Sequence, residues 1–166
     1  MSQREYPEWM GKMRGLTPAE IEEFLAGPVV ARIAMVKPDG RPYLALVWQE
    51  WDGQALYFIP REKAAFVPYI QANPHLAISC ALDQAPFTRV LFEGHAQILE
   101  GPRPMEGLML EIARRMAARY LGEHGPRYLE PTRPRPRYLV KLIPEKITSW
   151  EGVEWHPKYL SETENN

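Results

Sequence analysis

The sequence is short of cysteine, of long apolar runs and of net charge, and each shortage closes off a class of protein. Its single cysteine, Cys80, lies in the apolar run Leu76-Ala77-Ile78-Ser79-Cys80-Ala81-Leu82. An internal disulfide framework is therefore excluded, and a reducing compartment, the cytoplasm, is expected. A thiol in such a run is expected to be a buried core group, not a nucleophile. No apolar run is long enough to span a bilayer, and Met1-Ser2-Gln3-Arg4-Glu5-Tyr6-Pro7-Glu8 lacks the apolar centre of a secretory signal. Lys and Arg number 20 against 21 Asp and Glu, so no global field draws the chain to nucleic acid or to an anionic membrane. His75, His95, His124 and His156 fall at no ligand spacing, and no metal is expected. Also missing are a Ser-His-Asp order, a paired-carboxylate signature and a glycine-rich phosphate loop, which leaves hydrolase, glycosidase and nucleotide-triphosphatase readings with little support.

What is present is an ordinary globular composition, 45% hydrophobic and 25% charged over 166 residues, with an excess of 17 prolines that should mark turns and strand ends. That length fits one domain over residues 1–166, with 1–15 as an N-terminal extension and 151–166 as a C-terminal tail. Thr17-Pro18-Ala19-Glu20 has the form of a capping box with proline at the first helical position, and Ile21, Phe24 and Leu25 recur on one face before Gly27-Pro28. Val29 to Val36 reads as a strand closed by the turn Lys37-Pro38-Asp39-Gly40. Pro42 to Trp51 and Ala55 to Ile59, joined by Asp52-Gly53, complete an expected three-stranded meander. A short helix is expected over Lys63 to Ala72, strands over Leu76–Leu82 and Thr88–Leu99, and a long helix over Pro104 to Tyr120. That helix carries Met105, Leu108, Met109, Ile112, Met116 and Tyr120 at helical spacing and ends at Gly122. Gly122 to Pro136 reads as loop, and Tyr138–Ile143 and Ile147–Trp150 as the last two strands. Strands outnumber helices and do not alternate with them, so the expected class is mainly β: an antiparallel barrel of six to seven strands with flanking helices.

Arg61 and Lys63, in Ile59-Pro60-Arg61-Glu62-Lys63, fall just after a strand and just before an expected helix, a place where a phosphate can be held. Taken alone, the pair reads more readily as two solvated charges at a turn. Arg133-Pro134-Arg135-Pro136-Arg137 is a local basic stretch without interleaved aromatics. It reads as a solvated loop, or as an anion clamp reaching over a cleft. Trp48, Trp51 and Trp155 are expected to pack in the core or at an interface.

The order of motifs is more specific than any one of them. Arg32-Ile33-Ala34-Met35-Val36 with Pro38-Asp39-Gly40-Arg41-Pro42, then Leu56-Tyr57-Phe58-Ile59-Pro60-Arg61-Glu62-Lys63, then Tyr69-Ile70-Gln71-Ala72-Asn73-Pro74-His75-Leu76-Ala77, then Val90-Leu91-Phe92-Glu93-Gly94-His95-Ala96, and finally Leu142-Ile143-Pro144 with Ser149-Trp150-Glu151-Gly152 resemble, in order, the elements of the pyridoxamine 5′-phosphate oxidase-like split β-barrels. The resemblance implies a homodimer that binds flavin mononucleotide (FMN) in clefts between its subunits and oxidises or reduces a small-molecule substrate. By position, Leu46, Val47 and Trp48 would border the flavin ring, and Phe58, Ile59, Arg61 and Lys63 would contact it from the same protomer. Arg89 would reach it across the dimer, and Trp150 would lie near it. Two departures stand out: Ala64 and Ala65 replace a hydroxyl residue that many relatives carry in the phosphate turn, and Val153-Glu154-Trp155-His156-Pro157-Lys158 does not reproduce the arginine and histidine that grip substrate in the vitamin-producing oxidases. Pyridoxine-phosphate oxidation is thereby disfavoured. The same barrel also admits a deazaflavin coenzyme, or a role in binding flavin or haem without turnover.

Overall fold

The computed structural model describes residues 13–153. Helix α1 (Pro18–Ala26) opens on the expected box: the Glu20 amide donates to Thr17 Oγ1, and the Thr17 amide donates to Glu20 Oε2 at 2.8 Å. Two hydrogen bonds from the Arg14 guanidinium, joined by the one from the Thr17 amide, hold the Glu20 carboxyl down to about 2 from its ordinary 4.5. A depressed carboxyl contributes stability that is complete above its unfolded value and is lost as pH falls through the folded one. The wild type should therefore lose stability between about pH 4.5 and 2 through this group, and Glu20→Gln should lack that limb. Urea melts of both proteins at pH 3 and pH 6 check this: the gap between them should be wide at pH 6 and narrower at pH 3.

Seven strands follow among the described residues: β1 (Ala31–Val36), β2 (Pro42–Val47), β3 (Glu50–Trp51), β4 (Leu56–Phe58), β5 (His75–Ala81), β6 (Arg89–Arg103) and β7 (Arg137–Trp150). Helix α2 spans Val67–Ala72, and α3 (Gly107–Leu121) and α4 (Gly125–Leu129) lie between β6 and β7. All pairings are antiparallel, in the order β2-β1-β5-β6-β7-β4-β3. The expected meander is therefore wrong in one respect, because β2 pairs with β1 alone while β3 and β4 stand at the opposite end of the sheet. Only Trp48 and Gln49 join those two ends. Six interstrand steps of ~4.8 Å would set the edges of a flat sheet roughly 29 Å apart, whereas the Val47-to-Glu50 link spans at most about 11 Å. The sheet must therefore roll up, and because β2 and β3 are not hydrogen-bonded to each other it closes as a split barrel.

Period-two alternation fills the barrel. Ala31, Ile33 and Met35 of β1, Leu76, Ile78 and Cys80 of β5, and Val90 and Phe92 of β6 are buried in one cluster with Leu56, Phe58 and Leu142. Burial pushes the Cys80 thiol up to about 12, so it is an inert core group. A second cluster lies under α3, built from Met105, Met109, Ile112, Met116 and Leu129 against Leu139 of β7. Leu108 departs from the expected stripe: it is exposed, and Ala113 and Ala117 take the buried face.

The C-terminal part differs from its sequence reading in two ways. Residues 122–132, expected as loop, form α4 flanked by 3-10 turns, because Leu129 docks into the α3 cluster and Gly125 lies against the Ala117 backbone. The two expected closing strands are one, β7, which carries Pro144 in its interior. A proline is tolerated there because the register shifts at Glu93/Gly94, directly opposite. The N-terminal extension before Met13 and the stretch Glu154 to Lys158 lie outside the described residues. Among the described residues no helix is long and apolar enough to cross a membrane.

Candidate functional site

A cavity of about 530 Å³ opens where the ends of β2 and β4 meet α3 and α4. Trp48, in the link that closes the barrel, stands at its wall and is held between two tyrosines. Its ring stacks on Tyr120 at 5.0 Å with 6° between planes, and Tyr128 tilts against it at 5.4 Å. The Tyr120 hydroxyl donates to the Val29 carbonyl at 2.6 Å and accepts from the Gln49 amide at 3.2 Å. Burial pushes the Tyr120 hydroxyl pKa up, so it remains a donor.

Below it, Arg119 donates to the Gln49 carbonyl, and Arg115 and Arg119 each donate at 2.6 Å to the buried Glu50 carboxylate. Gln49, fully buried, donates from Nε2 to the Leu25 carbonyl. The link between the barrel's edges is thus clamped by one face of α3, which a loop of the same length could not do. In the sequence Arg114, Arg115 and Arg119 fall off the apolar stripe of that helix, where solvated charges are expected. The structure turns Arg119 inward, leaving its side chain 16% exposed.

At the other side of the cavity, the chain leaves β4 through Ile59, Pro60 and Arg61. The turn is tied to the start of β7: Tyr138 N donates to Pro60 O, Glu62 N to Pro136 O, and Arg61 forms a single antiparallel bridge with Arg137. Helix α2 starts at Val67, four residues later than expected. Pro68 can occupy only its first turn, and the amides of Ala64 and Val67 are used in successive tight turns before it. Lys63 consequently sits on an exposed turn and not at a helix N-terminus.

Of the residues expected at the site, Leu46, Val47, Trp48, Ile59 and Arg61 come together on this cavity. Phe58 points the other way, fully buried in the barrel core, and Lys63 is not in the wall. A residue assigned in the sequence to a basic loop joins them: Arg137 is 9% exposed, lines the cavity, and its Nε has no hydrogen-bond partner among the described residues. Its placement comes from the first residue of β7 pairing back on Arg61, and only the apolar run that follows, Tyr138-Leu139-Val140, hints at it.

A family model described as pyridoxamine 5′-phosphate oxidase matches residues 17–151. The chain belongs to that family. As in the split barrels it resembles, the pyridoxamine 5′-phosphate oxidase framework runs from the capping box of α1 to the residue after β7. Solved structures of the same fold include a FAD-binding protein from Mesorhizobium loti (20% identity, TM-score 0.61, covering 86% of this chain and 98% of that one). An F420 reductase aligns at 26% identity and TM-score 0.59, covering 76% of this chain and 94% of its own. The haem storage protein HutZ of Vibrio cholerae aligns at 19% identity and TM-score 0.59, covering 82% and 97%. Comparison with curated proteins returns no match.

Within this family framework Arg89 and Trp150 pair across β6 and β7, with the guanidinium 4.9 Å from the indole centroid. They stand at one end of β7 and Arg137 at the other, about 40 Å apart along the extended strand at ~3.3 Å per residue. They do not line the cavity that holds Trp48 and Arg61.

Proposed function

We propose that this member of the family is an oxidoreductase that binds FMN in the cavity beside Trp48. The observation that carries the reading is one cavity combining an apolar and aromatic wall with cationic side chains: Trp48, Leu46 and Met116 on one side, Arg61 and Arg137 on the other. A flat ring with an anionic tail fits that division of chemistry. When bound, the isoalloxazine supplies hydride transfer. The chain's own residues orient and exclude: the Trp48–Tyr120 stack sets one wall, and α3 and α4 shield the cavity from water. The solved FAD-binding protein and F420 reductase on this fold support a flavin-type cofactor.

In the proposed homodimer the cavity would be shared between the two protomers. In register across the sheet, Leu44 of β2, Ala34 of β1 and Ala77 of β5 face outward and are exposed, and Leu46, 64% exposed, continues this apolar stripe to the cavity rim. A second copy covering the stripe would bring its own Arg89 and Trp150 toward the flavin. A deazaflavin coenzyme is the second reading, favoured by Arg133 and Arg135 lying just before Arg137, where a longer anionic tail would run.

An absorbance and fluorescence titration of the purified chain with FMN tests the reading, with the deazaflavin coenzyme and haem in parallel. Saturation at one FMN per protomer is expected; tight binding of another cofactor with none of FMN would overturn it. Arg61→Ala should weaken FMN by about 1–3 kcal/mol, as for a charge-assisted contact. Lys63→Ala, at an exposed position outside the wall, should cost under about 1 kcal/mol. Riboflavin, lacking the phosphate, should be indifferent to both, and equal losses for the two flavins would remove the phosphate from this corner.

A further inference from the structure

We infer that Arg137 is the buried half of a phosphate-binding subsite, and that the folded chain is held below its full stability until an anion fills it. A guanidinium withdrawn from water needs a partner charge or a full set of acceptors. Arg137 has neither among the described residues: it is 9% exposed, its Nε is unpartnered, and its backbone bridges to Arg61, which lines the same cavity. Glu62, the nearest carboxylate along that turn, is exposed and forms no ion pair among the described residues. Glu130, the other acid nearby in sequence, lies 3.9 Å from Arg133. Two cations line one cavity, where like charges repel, and Arg137, buried and with no carboxylate partner among the described residues, also loses hydration, whereas Arg61 is exposed. A dianion between them reverses both terms, and the planar guanidinium fork matches a phosphate better than an ammonium would.

The ligand class is therefore a phosphate monoester whose apolar body lies along Trp48 and Met116. The inference rests on the flavin reading only for the carrier of that phosphate. The same chemistry reaches the cavity either as the tail of the cofactor or as the anionic end of a substrate. It also assigns the grip to a residue of β7 that the departures at Ala64 and Ala65 leave room for: the hydroxyl contact missing from that turn is replaced by a guanidinium from the opposite strand.

The experiment uses the full chain as wild type, Arg137→Met and Arg137→Lys. Each is melted in phosphate and in chloride at equal ionic strength, and titrated with FMN and with riboflavin. The wild type should melt higher in phosphate than in chloride. Arg137→Met, which fills the same space without the charge, should melt in chloride at or above the wild type and lose the phosphate dependence, with Arg137→Lys between. A purely structural arginine would show the opposite, a lower melt in both salts, and that result overturns the inference. If the phosphate belongs to the cofactor, Arg137→Met weakens FMN about 10- to 100-fold, as for a charged hydrogen bond, and leaves riboflavin alone. If phosphate dependence disappears in the variant while both flavins bind as before, the subsite stands and its anion comes from the substrate. A wild type that binds neither flavin yet keeps its phosphate dependence sinks the flavin reading and retains the subsite. No phosphate effect on the wild type, together with equal losses for FMN and riboflavin in the variant, overturns it.

Discussion

Glu50→Ala is expected to lower the stability of the fold by about 3 kcal/mol, at the lower end of what breaking a buried ion pair costs. The Glu50 side chain is 9% exposed and accepts from Arg115 Nε and Arg119 Nη2, each at 2.6 Å. Removing it leaves the guanidinium of Arg119, 16% exposed, with only the Gln49 carbonyl as acceptor among the described residues. Arg115 is 52% exposed and recovers water, which keeps the loss from the upper end of the range. The damage should reach the cavity, because the same Arg119 holds the link that carries Trp48. Flavin affinity should therefore fall along with the urea midpoint. The double variant Glu50→Ala/Arg119→Met removes the stranded charge and should recover part of the stability. A loss below about 1 kcal/mol for the single variant would show that α3 is held by its apolar cluster alone.

Gly94→Ala should be more severe, at more than about 3 kcal/mol, a large share of the 5–15 kcal/mol typical of a domain. A Cβ at this position would fall inside the contact distance of the Ile143 carbonyl oxygen and 2.9 Å from the Pro144 Cα. Both are backbone atoms of β7, so no side chain can swing away, and the ladder between the two longest strands would have to part. Gly40→Ala is the matched control. Its φ of +82° penalises a side chain, but nothing among the described residues lies within 4 Å of an added Cβ, so about 1 kcal/mol is expected. Circular dichroism and thermal melts of the two variants would separate packing from backbone preference. Comparable losses would mean that β6 and β7 separate more readily than their register implies.

That glycine also shows how far the chain could be read in advance. The Glu93-Gly94 segment was legible as a family motif, but its physical purpose was not, since the bulge exists only where β6 meets Pro144, some fifty residues away. For the same reason the interrupted apolar run around Pro144 read as two strands. The region 122–132 read as loop because Gly122, Gly125, Pro126 and Pro131 are local helix breakers, and it is the docking of Leu129 onto α3 that overrides them. The hairpin of β1 and β2 and the onset of α1 were legible because their causes lie within a few residues: Gly40 at positive φ closing the turn, and Thr17 and Glu20 exchanging hydrogen bonds.

The cavity divides along the same line. Leu46, Val47, Trp48, Ile59 and Arg61 follow from motif order, being carried on two strand ends whose sequence is itself recognisable. Arg137, Met116 and the Tyr120 brace on Trp48 do not, because they arrive from α3 and β7, elements far along the chain that meet the cavity only once the sheet has rolled shut. Local chemistry was sufficient for the strands, the caps, the class of fold and the family, since each depends on side chains and backbone angles within a few residues. Which strand neighbours which, which arginine is buried, and which aromatic faces the cavity were settled by long-range pairing, whose free energy is spread over contacts that no short stretch of sequence contains.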